Sequence, residues 1–389
     1  MTKPTLGNSI GTFNDQDMMD LLQTDLSYSY SMNNDSNSVI VFKHPIPDVI
    51  QMCFEALKLF RTTRDIALPI AEAKQSTSIK YKGMYSIHLK DNCHFSMDRL
   101  ISLLKYDFAQ NLYYGLEIQA FLDVRNQVFT NNINYLKLEL LQNVMSKTDA
   151  ENGASLLNHF FKQFQTHVNS SAYKKKERNR RRIRNKNKKA CIKLFNSILD
   201  RYAKTLVIRI DFSLKRDPNT LTQQFPLSDE VQSNHDLEYI RSCIKRFKEN
   251  RRHHSVLKKI QGYIFQYEYS FKTDFHIHAY FFFNGNEHQE DISIAQLISD
   301  YWKKLTNNQG CTFICNMKKN QYKYNAIGMI HYSDKEKQQH LISTFDYICK
   351  ADQFFVFSPL KHQKNFQCSQ PLKQLSNAGR PRKHMVSTH

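Results

Sequence analysis

The sequence predicts an α+β fold: a largely antiparallel sheet built around a His-x-His hairpin, with helices on one face and a mainly helical region ahead of it. Three observations predict this. After Asp200, segments with period-two alternation interleave with segments of three-and-four periodicity. Two of the alternating segments, 262–270 and 275–283, are joined by a short polar turn at Lys272-Thr273-Asp274. The composition is globular, at 41% hydrophobic and 12% aromatic, and 389 residues are enough to bury a core.

Residues 1–42 are rich in Asn, Ser, Asp and Thr without any period, and are expected to form a disordered leader. From 43 to 172 the pattern is mainly helical. Ile50, Phe54, Leu57 and Phe60 recur at helical spacing, as do Leu100, Leu103, Leu104 and Phe108. Nothing in that region groups into a chemical constellation, and its role is not legible.

A basic segment, 173–189, follows. Within it Lys174, Lys175, Lys176, Arg178, Arg180, Arg181, Arg182, Arg184, Lys186, Lys188 and Lys189 stand against the single acid Glu177. So dense a run on a helix repels itself at i,i+4 unless a polyanion screens it, which points to sequence-independent phosphate contact. The plainer alternative is a solvated helix face. The helix is expected to continue into Ile192, Phe195, Ile198 and Leu199.

Residues 190–362 read as one domain. A strand at 206–214 puts Leu206, Ile208, Ile210 and Phe212 on one face, with Arg209 and Asp211 on the other. A helix near 237–250 turns Ile240, Ile244 and Phe247 inward. Two hairpin strands come next, then a helix near 292–305, strands at 311–316 and 326–332, and a last helix at 335–350. Helices on one face of the sheet would leave the other for a ligand. Residues 363–389 read as a basic polar tail, whose Gly379-Arg380-Pro381 core with flanking bases also has the form of a minor-groove contact.

The formal charge of +19 and the pI of 9.4 favour a nucleic-acid partner. A membrane partner is excluded locally: there is no run of 18 apolar residues and no signal-like N-terminus. Eight scattered cysteines with no C-x-x-C fit a reduced, cytoplasmic setting. Cys311 and Cys315 alone do not make a zinc site, since no second pair accompanies them.

The chemistry concentrates in Tyr263 to Gly285. His276 and His278 share one face of a strand, about 7 Å apart at the backbone, and can converge on one ion. A turn centred on Thr273 places Glu268 opposite His278 and Ser270 opposite His276, all on one face. Two imidazoles and a carboxylate leave coordination positions open, as a catalytic divalent ion requires. The alternative is a pair of buried, hydrogen-bonded histidines. On the last helix Leu341, Phe345 and Ile348 form a buried stripe, while Tyr347 and Lys350 share the polar face. A tyrosine needs activation to act as a nucleophile, and a metal-polarised phosphate with a nearby ammonium supplies it. Tyr280, Phe281 and Phe282 could instead stack RNA bases, although their strand position suits core packing better.

In this order, His276-Ile277-His278 followed by Tyr347-xx-Lys350 resembles the HUH endonuclease superfamily. More narrowly, residues about 190–360 resemble inovirus-type replication initiators and the prophage YagK/YfjJ C-terminal-domain proteins. Asp200-Arg201-Tyr202 leading into 206–211, Asn284-Gly285, Trp302, Ile327-Gly328-Met329-Ile330 and 347–353 carry the resemblance. It implies Mg²⁺ or Mn²⁺ held by His276, His278 and Glu268, with Asp211 behind them. It implies attack by Tyr347 on single-stranded origin DNA, leaving a 5′-phosphotyrosine and a 3′-hydroxyl, with Lys350 neutralising charge and Arg209 among the DNA contacts. The expected function is initiation of rolling-circle replication of a phage, prophage or plasmid, alongside host helicase and replication machinery. The alternatives are an HUH-type single-strand transposase and a non-cutting DNA-binding regulator of the same fold.

Overall fold

The computed structural model describes residues 52–373, except 53–54, 61–62, 65, 92–94, 109–111, 130–137, 139–140, 142, 216–229, 271–273, 323–324, 350–354 and 358–363. The expected leader, the Gly379-Arg380-Pro381 segment, the tip of the central turn and Lys350 therefore lie outside the described residues. The chain divides into two compact units, one within 31–184 and 350–363, the other within 185–349 and 364–389.

The first unit opens with a β-hairpin, β1 (Ala71–Gln75) and β2 (Tyr85–Leu89). There follow α1 (Met97–Lys105), β3 (Leu112–Tyr114), α2 (Leu116–Phe129) and α3 (Lys147–Asn169). α1 begins at the N-cap Ser96, whose hydroxyl accepts from Arg99 N, and buries Leu100, Ile101, Leu103 and Leu104. Phe121 and Phe160 pack edge-on at 6.1 Å between α2 and α3. Asn158 fastens the hairpin to α3: its Oδ1 accepts from Ile70 N and Ala71 N, and its Nδ2 donates to Ala71 O.

α4 (Ser171–Arg201) is the long helix expected from the basic run and contributes residues to both units. The second unit continues with β4 (Lys204–Leu214), α5 (Glu230–Asn250), β5 (Ile260–Ser270), β6 (Asp274–Asn284) and α6 (Asp291–Leu305). β7 (Gly310–Ile314), β8 (Gly328–His331) and α7 (Lys335–Ile348) follow. Two short strands come last. β9 (Phe355–Phe357) pairs with β3 in the first unit, and β10 (Phe366–Cys368) edges the main sheet. The expected polar tail is corrected here, because Phe366–Cys368 are ladder residues paired to Gln266–Ile264.

The main sheet runs β10-β5-β6-β4-β7, with β8 pairing the start of β4 and β7 its end. Every pairing in it is antiparallel. Alternation assigns the faces as the sequence implied, but helices cover both of them, not one. On the first face Phe212 stacks on Trp302 of α6 at 4.6 Å, and Phe247 of α5 meets Phe281 at 5.7 Å. On the second, Val207, Ile264, Tyr280 and Phe282 pack with Leu194, Phe195 and Ile198 of α4 and with Leu341, Phe345 and Ile348 of α7. Gly262 permits the close approach of α4: a Cβ there would meet Leu194 Cδ1 at 2.8 Å. Tyr280, Phe281 and Phe282 are fully buried, which removes base stacking as their role.

Candidate active site

The second face changes chemistry along its strands. Val207, Tyr280 and Phe282 lie under α4 and α7; toward the turn the same strand faces carry Arg209, Asp211, His276, His278 and Glu268. Asp211 pairs with His278 across β4 and β6, and Arg209 pairs with Tyr280. The hairpin register differs from the expected one. Glu268 lies opposite His276, and Gln266 opposite His278, so the turn is centred one residue earlier than Thr273. A one-residue move of the centre shifts pairing by two and preserves the face. Glu268 thus still joins the histidines, reaching His278 diagonally.

The side chains converge closely. Glu268 Oε2 lies 3.1 Å from His278 Nε2 and 3.8 Å from His276 Nε2, and the imidazole centroids are 4.8 Å apart. Among the described residues, Glu268, His276 and His278 form the group able to hold a metal ion, with ligand atoms all within 4.8 Å of one another. Cys311 and Cys315 belong to no such group. The other carboxylate oxygen, Glu268 Oε1, is buried without a hydrogen-bond partner. A buried unsatisfied carboxylate oxygen is costly, and a divalent cation at this donor set would satisfy it. The residues fit the ion that the sequence implied.

Behind the cluster, His278 Nδ1 lies 2.7 Å from Asp211 Oδ1. Arg209 Nη2 is 3.3 Å from the same nitrogen. Two donors cannot share it, so the shorter carboxylate contact assigns the proton: Nδ1–H donates to Asp211 and Nε2 faces Glu268. Burial works against charge on His278, but the flanking carboxylates of Asp211 and Glu268 outweigh it and hold the pKa up at about 10. Burial likewise opposes ionisation of Asp211 and Glu268, yet His278 keeps both below the usual carboxylate range. Arg209 is turned into this site, its guanidinium carbon 5.7 Å from the Tyr280 ring centroid, and is not displayed to solvent. Alternation had put it on the Asp211 face, a signal that it belongs to the site. Cys315 Sγ, 3.8 Å from Asp211 Oδ2, carried no such signal, because the 3-10 segment Cys315–Gln321 follows where the strand was expected to continue.

Tyr347 comes from α7. Asp334 caps that helix by accepting from Lys337 N, and Leu341, Phe345 and Ile348 bury the expected stripe. Phe345 packs edge-on against Tyr280 at 6.3 Å, which fixes the helix over the sheet. The last turn then brings the half-buried Tyr347 ring to 6.3 Å from His278, near enough to Arg209 to interact electrostatically. Lys188 of α4 holds the neighbouring Asp346 at 2.6 Å.

Residues 187–369 match the family model of the YagK/YfjJ C-terminal domain. The match spans the sheet, α7 and β10, and so contains every member of the cluster; α4 enters it only at its C-terminal half. No curated protein and no solved structure matches the chain.

The basic run is not uniform. Arg180 is engaged bidentately by Glu117 at 2.7 and 2.9 Å, and Lys188 by Asp346, so these two hold the fold. Lys174 and Arg184 are half-exposed. Lys175, Lys176, Arg178, Arg181, Arg182, Lys186 and Lys189 are exposed. No helix among the described residues is long and apolar enough to cross a membrane.

Proposed function

We propose that this chain nicks and rejoins single-stranded DNA through Tyr347, as an HUH-type endonuclease that initiates rolling-circle replication of a phage, prophage or plasmid. One observation carries the reading: a two-imidazole, one-carboxylate cluster on a hairpin has a tyrosine from a separate helix set 6.3 Å from one of its imidazoles. A structural histidine pair would have no use for a partnerless carboxylate oxygen or for an arginine within electrostatic reach of the Tyr347 phenol.

His276, His278 and Glu268 would hold Mg²⁺ or Mn²⁺. When bound, the ion supplies Lewis-acid polarisation of the scissile phosphate. Asp211 keeps His278 in the tautomer that offers Nε2 to the ligand side. Charge supports an anionic substrate. Asp211, Glu268, Arg209 and protonated His278 sum to zero. Exchanging one imidazole proton for a divalent ion leaves +1, which a phosphodiester neutralises. Arg209 would stabilise the phenolate as Tyr347 Oη loses its proton, alongside the charge-neutralising role that the resemblance gives to Lys350. The phenolic oxygen bonds to phosphorus, the P–O3′ bond breaks, and the leaving oxygen takes up a proton. One phosphodiester replaces another, so the same groups reseal the strand in reverse. The exposed cations of α4 would track the backbone.

The test is a covalent adduct. Labelled single-stranded origin oligonucleotides, incubated with protein and Mn²⁺, should give a protein–DNA band that EDTA and Tyr347→Phe both abolish. Tight binding without any adduct would favour the non-cutting regulator.

A further inference from the structure

The first unit presents a loop that its own fold does not use. Between β1 and β2, residues 77–84 are all exposed, and Ile79 at 95% is the most exposed large hydrophobic side chain among the described residues. The loop is nevertheless built. Ser76 N donates to Met84 O at 2.8 Å, Tyr81 N to Ser78 O and Met84 N to Tyr81 O at 3.0 Å. Gly83 takes φ +81° with open space at its Cβ position, so the turn closes through the left-handed region, where other residues are strained. At the base, Ile87 packs so tightly on α3 that a Cβ at Gly153 would meet its Cδ1 at 2.5 Å. An ordered, anchored loop thus holds an isoleucine in water, where burial would normally place it.

Charge says what covers it. Lys80 and Lys82 follow the exposed Ile79, and residues 76–84 contain no acid. The acids of the hairpin, Glu72 and Asp91, lie at its base, where Glu72 is taken by Lys74 at 2.7 Å. A protein partner for Ile79 would not require this cationic collar. A single strand would call for an aromatic platform, and the Tyr81 ring has the Lys80 ammonium over it at 5.4 Å. An exposed aliphatic side chain followed closely by two lysines is instead suited to enter a duplex base step while nearby ammonium groups hold phosphates.

We infer that the β1–β2 hairpin is a duplex-DNA contact, in which Ile79 wedges into a base step and Lys80 and Lys82 bind the phosphates beside it. This extends the nickase reading, from which it takes DNA as the nucleic acid, by giving the first unit a duplex-binding role. The test uses the full chain, an end-labelled 30-bp duplex and the single strand of the same sequence, with anisotropy over a salt series and energy transfer between the duplex ends. Replacing both lysines (Lys80→Gln with Lys82→Gln) should flatten the duplex slope of log K against log salt by about 1.8, the equivalent of two phosphates. Ile79→Ala should keep that slope, lower duplex affinity several-fold and abolish bending. Since all three side chains are exposed, these variants are expected to fold, and unfolding curves verify it. Wild-type slope and bending in the variants would overturn the inference, and so would equal losses on the single strand alone. The adduct assay separates the two readings. A Tyr347 adduct with an unaltered duplex slope removes the hairpin contact only; no adduct with a flattened slope removes the nickase and leaves the contact.

Discussion

The two faces of the main sheet are made by the same strands and do opposite work. One is mainly hydrocarbon: Phe212, Phe247, Phe281 and Trp302 interlock ring against ring. The other is hydrocarbon only under α4 and α7, and then turns into a buried nest of two carboxylates, two imidazoles and a guanidinium. Since side chains alternate, β4 and β6 supply both faces at once, and the dry face holds the strands rigid while the other carries charge. Burying that much charge is tolerated where each group has an opposite partner, and Glu268 Oε1 and Arg209 Nε are left there without a hydrogen bond.

Each face can be perturbed without touching the other. On the dry face, Trp302→Ala should lower the unfolding free energy by about 3–5 kcal/mol in urea titrations, while folded protein keeps its Mn²⁺ affinity. On the charged face, Asp211→Asn should weaken Mn²⁺ binding about 10–100-fold by calorimetry, because it releases the His278 tautomer without touching a ligand. If both variants lose only stability, the charged face is structural.

The charged face also responds to pH. The His278 pKa is raised to about 10, so its stabilising contribution is complete below about 6.5 and is lost as pH climbs through about 10. Asp211 and Glu268 are lowered, so theirs is present above about 4 and lost as pH falls through their folded values. Metal-free protein should therefore weaken between pH 7 and 10. Mn²⁺ binding at neutral pH should release about one proton, measured as the dependence of binding enthalpy on buffer ionisation heat. A smaller effect belongs to α4. Changing Lys175, Arg178 and Arg182 together to Gln should flatten the single-strand salt slope by about 2, whereas Arg180→Gln should cost stability by stranding Glu117.

Much of this was legible because alternation and helical spacing are local. The strand face of Arg209 and Asp211, the pairing of His276 with His278, and the buried stripe of α7 all follow from period alone. The hairpin register was not, since it depends on where the turn closes, and Glu268 kept its place only because the shift was even. Helix placement on both faces was not legible either: nothing local says that Leu194, Phe195 and Ile198 fold back under Phe282. The pairing of β9 and β10 with strands far earlier in the chain is equally non-local. Within the basic run, composition could not tell the two cations engaged by Glu117 and Asp346 from those left in solvent.

The most direct measurement is to map the covalent link. Protein incubated with single-stranded DNA and Mn²⁺ is digested with nuclease and protease, and the nucleotide-bearing peptide is sequenced by mass spectrometry. A 5′-linked nucleotide on Tyr347 is expected, and none when Mn²⁺ is chelated. A link at another tyrosine, or no linked peptide at DNA concentrations that saturate binding, would contradict it.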